Sequence, residues 1–353
     1  MTMATKETPV KKMTILIFLI LLCLYQWSVA GSGGWRTVPD RGSMNSLGYP
    51  ILSTPKAMFM PTDFGIARAV ITPDKEIIWR RYAKTDVWPN MAVCASDQYI
   101  YFSGGHQTLQ KEYQFIDTIK VFTLKDKLRG WLVKTGQMKT PREFHETLVI
   151  KDKLYVFGGI GKWNTYYSSV EFTSSDPQST TFGVWDSAPS FKKIMGPVVA
   201  VSRERNKVIC LGVRLDRSTG ERLVYLESSD IHSDGTLGEW SVLGGPYEID
   251  FPVGAVFRPD RTLFVVGEYK DNMNKCYIMD LKKRNRGAPA FVPVAPLDPG
   301  VSVFRGDDLG VGCWDRFVCF VTDACYIYDP NQKNLKVFRS LKNPYLVPMG
   351  DKK

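Results

Sequence analysis

Apolar and polar residues alternate in short runs along most of this 353-residue chain, and the runs come in pairs. The stretch from Glu143 to Trp185 shows the pattern most fully. It opens with E-F-H-E-T-L-V-I, turns at Lys151-Asp152-Lys153, and continues as L-Y-V-F-G-G through Gly158-Gly159. Two β-branched and aromatic runs around an Asp-Lys turn predict a β-hairpin. A third run, Tyr166 to Phe172, follows a polar loop, and the unit closes on Trp185. A Gly pair at a strand end allows a sharp turn with positive φ, and a late Trp is large enough to fill the gap between neighbouring small sheets. No segment carries the period of an amphipathic helix, so the pattern predicts an all-β chain.

The same unit recurs. Gly104-Gly105 precedes Trp131 as Gly158-Gly159 precedes Trp185, with 27 residues from first Gly to Trp in both, and Gly212 stands 28 before Trp240. The late aromatics Trp79, Trp131, Trp185, Trp240, Phe291 and Phe338 are spaced 52, 54, 55, 51 and 47 residues apart. Four short strands per period of roughly 50 residues cannot bury their faces alone and must pack around an axis. With its Gly-Gly ending the second strand, an aromatic in the third and a Trp in the fourth, the unit resembles a kelch repeat. The resemblance covers residues 35–341 and implies a six-bladed kelch-like β-propeller of the galactose oxidase type. Trp131, Trp185 and Trp240 are then expected at equivalent, buried positions between blades.

The first and last units, around Trp79 and Phe338, lack the Gly pair and flank the point of closure. Gly34 to Pro39 and Leu335 to Leu341 both read as strands able to close the ring. Residues 342–353, with Pro344 and Pro348, read as a flexible tail.

The first thirty residues change the picture of where the propeller works. Lys11-Lys12 precedes an almost unbroken Ile/Leu/Phe run from Met13 to Tyr25, and Ser28-Val29-Ala30 supplies a small-residue exit. That is the layout of a secretory signal peptide spanning residues 1–30. The rival, an uncleaved signal-anchor, needs about 20 apolar residues, and Gln26 interrupts this run. Cleavage gives a secreted, extracellular protein, and retention gives a lumenal, type II membrane-anchored one. Removing three Lys and one Glu with the leader lowers the formal net charge from +10 to +8. A basic excess favours acidic partners such as sulfated or sialylated glycans, besides aiding solubility. Export argues against nucleic acid as a partner, and the chain reads as a monomer that touches membrane only if the leader stays.

Six of the seven cysteines follow the leader: Cys94, Cys210, Cys276, Cys313, Cys319 and Cys325. Three lie in apolar runs of different units, where Cys packs as a small hydrophobe. Cys319 and Cys325 flank a tight hairpin and are the candidate disulfide, with Cys313 competing. No C-x-x-C or Cys/His clustering suggests zinc, and no cofactor motif is present.

In a propeller the loops between second and third strands open on the same face as the connections between blades. That brings His106 toward Arg142, Glu143 and His145, with Arg214, Arg217 and Arg222 from the fourth unit and Arg305 and Asp307 from the last connection. These are the candidate binding residues. Arg can hold a carboxylate or sulfate through two parallel hydrogen bonds, which suits an anionic sugar or acidic peptide loop. The expected function is a binding module for a glycan or an extracellular protein, with no catalytic or metal residue assigned. The basic run Lys282 to Arg286 reads as a loop and offers a competing surface. Kelch-type enzymes supply the alternative. Exported sialic acid mutarotases are similar in length, leader and blade number, and the resemblance implies a general acid/base role for Arg142 with Glu143, and for Arg305 with Asp307. The galactose-oxidase copper ligands and the repeated Asp boxes of sialidases are not reproduced.

Overall fold

The computed structural model describes residues 52–54, 57–62, 65–71, 77–85, 88, 90–109, 112–124, 130–192, 195–202, 206–215, 219–247, 251–257, 262–268, 275–285, 288–293, 310–314, 317–321 and 325–328. All of them fall in a compact unit spanning Thr37–Lys353, and the smaller unit Met1–Arg36 lies outside them. The leader, both closing strands and the tail therefore lie outside the described residues. The described chain is all-β, with one short 3-10 turn at Lys162–Asn164.

Among the described residues, six antiparallel sheets of three or four strands follow one another, each built of strands that pair in sequence order, besides two two-stranded hairpins. The second comprises Ala92–Ala95, Tyr99–Ser103, Thr118–Thr123 and Leu132–Gln137; the third, Glu146–Ile150, Lys153–Phe157, Val170–Ser174 and Asp186–Ala188. The fourth contains Met195–Ser202, Lys207–Leu215, Arg222–Asp230 and Ser241–Tyr247. The last has three described strands, ending at Cys325–Tyr328. First strands of successive sheets touch, and the first strand of sheet one, Leu52–Thr54, also touches that of the last, Gly310–Trp314. This is a propeller-like arrangement of small twisted sheets.

Apolar cores lie between sheets, as the repeat requires. Cys94, Tyr101 and Val121 of sheet two pack against Leu154 and Val156 of sheet three. Tyr155, Phe157 and Val170 of sheet three meet Val199, Val208 and Trp240 of sheet four. The polar ties repeat as well. Tyr155 donates its hydroxyl to the Gly235 carbonyl at 2.7 Å, in the turn before the fourth strand of the next sheet. Tyr101, three residues before its Gly pair as Tyr155 is before its own, reaches Ser175 of the next sheet in the same way.

The tryptophans follow this scheme with one exception. Trp240 is 6% exposed and donates its indole N–H to the Pro189 carbonyl of sheet three at 2.9 Å. Trp185, half-buried, donates likewise to Gln137 of sheet two at 2.7 Å. Trp131 corrects the expectation, being 58% exposed. Its seat is taken by Tyr82 of the preceding sheet, which is buried, packs under Gly130 and donates its hydroxyl to the Thr123 carbonyl at 3.0 Å.

One further reading changes. The run from Lys282 to Asn285 is not a loop but the end of a long third strand, Lys275–Asn285, irregular between Asp280 and Arg284. In the last sheet Cys325 pairs with Val321 and Cys319 with Ile327. The candidate disulfide partners are thus diagonal neighbours in the ladder. Cys94 and Cys210 are free and buried, and burial pushes the Cys94 thiol up to about 12.

Candidate functional site

Sheets two and three each carry an inserted hairpin between their second and third strands. These are His106–Leu109 with Glu112–Phe115, and Ile160–Gly161 with Thr165–Tyr166. Both project from the strand ends marked by the Gly pairs. The connection Pro141 to His145 runs between them, held to the second hairpin by reciprocal bonds between Glu143 and Ile160 at 2.9 and 2.8 Å.

The Glu143 side chain is the focus of this corner. It is 5% exposed and its carboxylate accepts from three segments. Asn90 Nδ2 lies 2.8 Å from Oε2, His106 Nδ1 lies 2.8 Å from Oε2, and the Tyr113 hydroxyl is 2.7 Å from both oxygens. The bond from His106 requires its proton on Nδ1. His106 also stacks on Tyr113, with ring centroids 4.2 Å apart. Desolvation first, and then the bond to Glu143, raise the Tyr113 hydroxyl above its usual range, so it stays protonated and donates. A carboxylate has about four acceptor positions, and these three groups fill at most three. One remains.

The two hairpins and the connection between them carry exposed aromatics: Tyr113, Phe144, Trp163 and Tyr166. Phe144 and Trp163 both have positive φ, 50° and 62°. Left-handed backbone is costly for bulky residues and concentrates at functional positions.

Arg142 plays a different part from the one the sequence suggests. It is fully buried, at 0% exposure. Nη2 bonds Glu171 Oε1 at 2.7 Å, Nη1 bonds the Gly158 carbonyl at 2.8 Å and Ser169 Oγ at 3.3 Å, and Nε bonds the Thr140 carbonyl at 3.2 Å. The guanidinium also lies over the Tyr167 ring, 4.8 Å from its centroid. Burial lowers its pKa while Glu171 opposes the shift. Arg142 is a strut between sheets two and three and has no reach to a ligand. Arg214 repeats the device one sheet on. It pairs with buried Glu227 and lies over Tyr225 at 4.4 Å. Glu171 pairs with Val156 and Glu227 with Cys210, each two residues before the Gly of its repeat.

His145 is buried too, its Nε2 2.9 Å from Ser103 Oγ. The two Gly pairs leave its space, since a Cβ on Gly104 would come within 2.4 Å of His145 Cε1, and one on Gly159 within 2.8 Å of its Cβ. Burial, reinforced by Arg142, pushes its pKa down to about 3. The neighbouring Glu146 is only half-buried as a residue, yet desolvation raises its carboxyl to about 8. Of the remaining candidates, Arg222 is exposed at the far end of the hairpin joining Lys207–Leu215 to Arg222–Asp230. Arg217, Arg305 and Asp307 lie outside the described residues. Asn90 and Tyr113 complete the Glu143 cluster and carry no motif. Tyr113 could be suspected from its place in the loop after a Gly pair, but Asn90 could not.

These two groups fix a pH dependence. The unfolded chain protonates His145 near 6.5, the folded chain only near 3, so this contribution to stability is lost as pH falls through that window. Folded Glu146 keeps its proton to about 8 against an ordinary 4.5, so its contribution is lost as pH rises from 4.5 to 8. They oppose each other between 4.5 and 6.5, and stability should be flattest there. Each limb has a limiting slope of about 1.4 kcal/mol per pH unit. Urea midpoints against pH should show the acid limb weakened in His145→Gln; an unchanged limb would assign it elsewhere.

Among the described residues no group of three or more His, Cys, Asp or Glu could hold a metal ion, and no helix is long and apolar enough to cross a membrane. At the opposite ends of sheets two to four, a groove of about 790 Å³ lies among turn residues including Tyr99, Lys151, Asp176 and Asn206.

Among solved structures the chain is similar to that of YjhT, with a TM-score of 0.61 at 12% identity, over 86% of this chain and 100% of that one. At that identity the likeness speaks for the fold alone. No protein-family model matches the chain, and no curated protein sequence matches it.

Proposed function

We propose that the chain is an exported, six-bladed kelch-like propeller that binds a glycan at the corner built by its two inserted hairpins. The observation that carries this is the Glu143 carboxylate, buried with no Lys or Arg on it among the described residues and gripped by Asn90, His106 and Tyr113. Burying a carboxylate costs several kcal/mol that folding alone could avoid with a neutral residue. Spare acceptor capacity beside hairpins that carry exposed aromatics suits a sugar, which donates hydroxyls and stacks its C–H face on aromatic rings. An extracellular protein partner would reach the same corner through such a sugar.

The chain from Gly31 onward, screened on a glycan array, should retain a defined set of glycans, and Glu143→Gln should weaken capture at least about tenfold, the worth of one charged hydrogen bond. Tyr113→Phe, which leaves the carboxylate in place, should weaken it less. Full capture by both variants would move the site elsewhere. Intact mass of the secreted chain starting at Gly31 checks the export.

A second reading has its own observation. His106 and Glu143 are hydrogen-bonded at 2.8 Å, which is the arrangement of an acid/base pair able to move a proton. Anomer exchange of a free sugar, the reaction of the sialic acid mutarotases that the repeat resembles, is a proton-transfer reaction of that kind. NMR exchange between sugar anomers, lost in Glu143→Gln, would favour the enzyme over the binding module.

A further inference from the structure

We infer that the group seated on Glu143 is a protonated amine carried on a sugar ring, so that this corner selects amino sugars over acidic ones. The inference rests on the binding reading above and names its ligand class.

It follows from where the charges point. An acidic sugar needs an accessible guanidinium or ammonium. Arg142 is fully buried, with Nη1, Nη2 and Nε all bonded inside the protein. Arg214 is held against Glu227 and Tyr225. Arg142 cannot turn a fork of donors toward a ligand. Glu143 is an acceptor with an open position, because Asn90, His106 and Tyr113 supply at most three protons to its four lone-pair sites. An anion brought to that carboxylate would meet a like charge in a partly desolvated corner. An ammonium would find its counter-charge there.

The exposed aromatics point the same way. Aromatic faces are negative and attract cations within about 6 Å of the ring centre. Tyr113, whose hydroxyl rests on Glu143, is half exposed. Phe144 is its neighbour in sequence, and Tyr166 pairs with Ile160, the residue bracketing Glu143. Trp163, at the tip of that hairpin, is 85% exposed and already draws the Lys162 ammonium to 5.3 Å from its centroid. The chain's excess of basic residues does not reverse this local preference, because exposed charges beyond about 8 Å are largely screened at physiological salt.

The test compares glucosamine, N-acetylglucosamine and glucuronate by saturation-transfer NMR titration at pH 6.5, where a primary amine of this kind is protonated. Glucosamine should bind about tenfold tighter than N-acetylglucosamine and tighter still than glucuronate. Glu143→Gln should erase that preference. Trp163→Ala and Tyr166→Ala, at exposed positions that leave the fold intact, should weaken all three. Glucuronate binding best, in a Glu143-dependent way, overturns the amine assignment and leaves the sugar site standing. Binding of none of the three, or binding indifferent to every variant, overturns both.

Discussion

Arg142→Ala is expected to destabilise the protein by about 3–5 kcal/mol, the cost of breaking a buried ion pair from one side. The side chain is fully buried and joins the Gly158 carbonyl, Ser169 and Glu171. Its removal leaves the Glu171 carboxylate in the gap between sheets two and three without a counter-charge. That carboxylate already has one oxygen, Oε2, without a hydrogen-bond partner. The double variant Arg142→Met with Glu171→Leu removes both charges and should recover much of the loss, because apolar replacement of a whole buried pair is often neutral or better. Urea melts of the three proteins decide it. A near-neutral single variant would mean that Arg142 is solvated and free to serve a ligand, contrary to its role as a strut.

The second large effect is Trp240→Ala. Trp240 packs edge-on against Phe191 and Phe157, with centroids 5.4 and 6.3 Å away, and its indole N–H is satisfied by Pro189. Truncation should cost about 3–5 kcal/mol, as aromatic-to-alanine changes in cores do. Trp131→Ala should stay within about 0.5 kcal/mol, because that ring is exposed. Trp185 lies between the two. Equal losses at Trp131 and Trp240 would contradict the substitution of Tyr82 for Trp131 in its gap.

How much of this was readable from the residues divides along physical lines. The strands, hairpin turns and repeat were legible because each rests on local chemistry that recurs: alternation, Gly pairs, a late aromatic. The corner containing His106 and Glu143 was legible because loops after a Gly pair and connections between sheets open together. What a side chain does in that corner was not. Arg142 and Glu143 are adjacent in sequence, yet one is wholly consumed inside the protein while the other retains an open acceptor. That difference depends on Glu171 and Asn90, residues 29 and 53 positions away. Arginine density therefore suggested an anion site, whereas the packing of sheets two and three absorbs the nearest guanidinium. Trp131 failed for a similar reason. A tyrosine from the preceding sheet fills its gap, and no periodicity within one repeat reports on its neighbour.

The most direct measurement of the central claim uses the tryptophans as reporters. With nine in the chain, indole N–H signals can be assigned by single substitutions and followed during titration with a glycan retained on the array. Binding at the corner of the two hairpins predicts that the Trp163 signal shifts and saturates while Trp240, fixed between sheets, stays in place. Saturating shifts of other indole signals that spare Trp163 would contradict it.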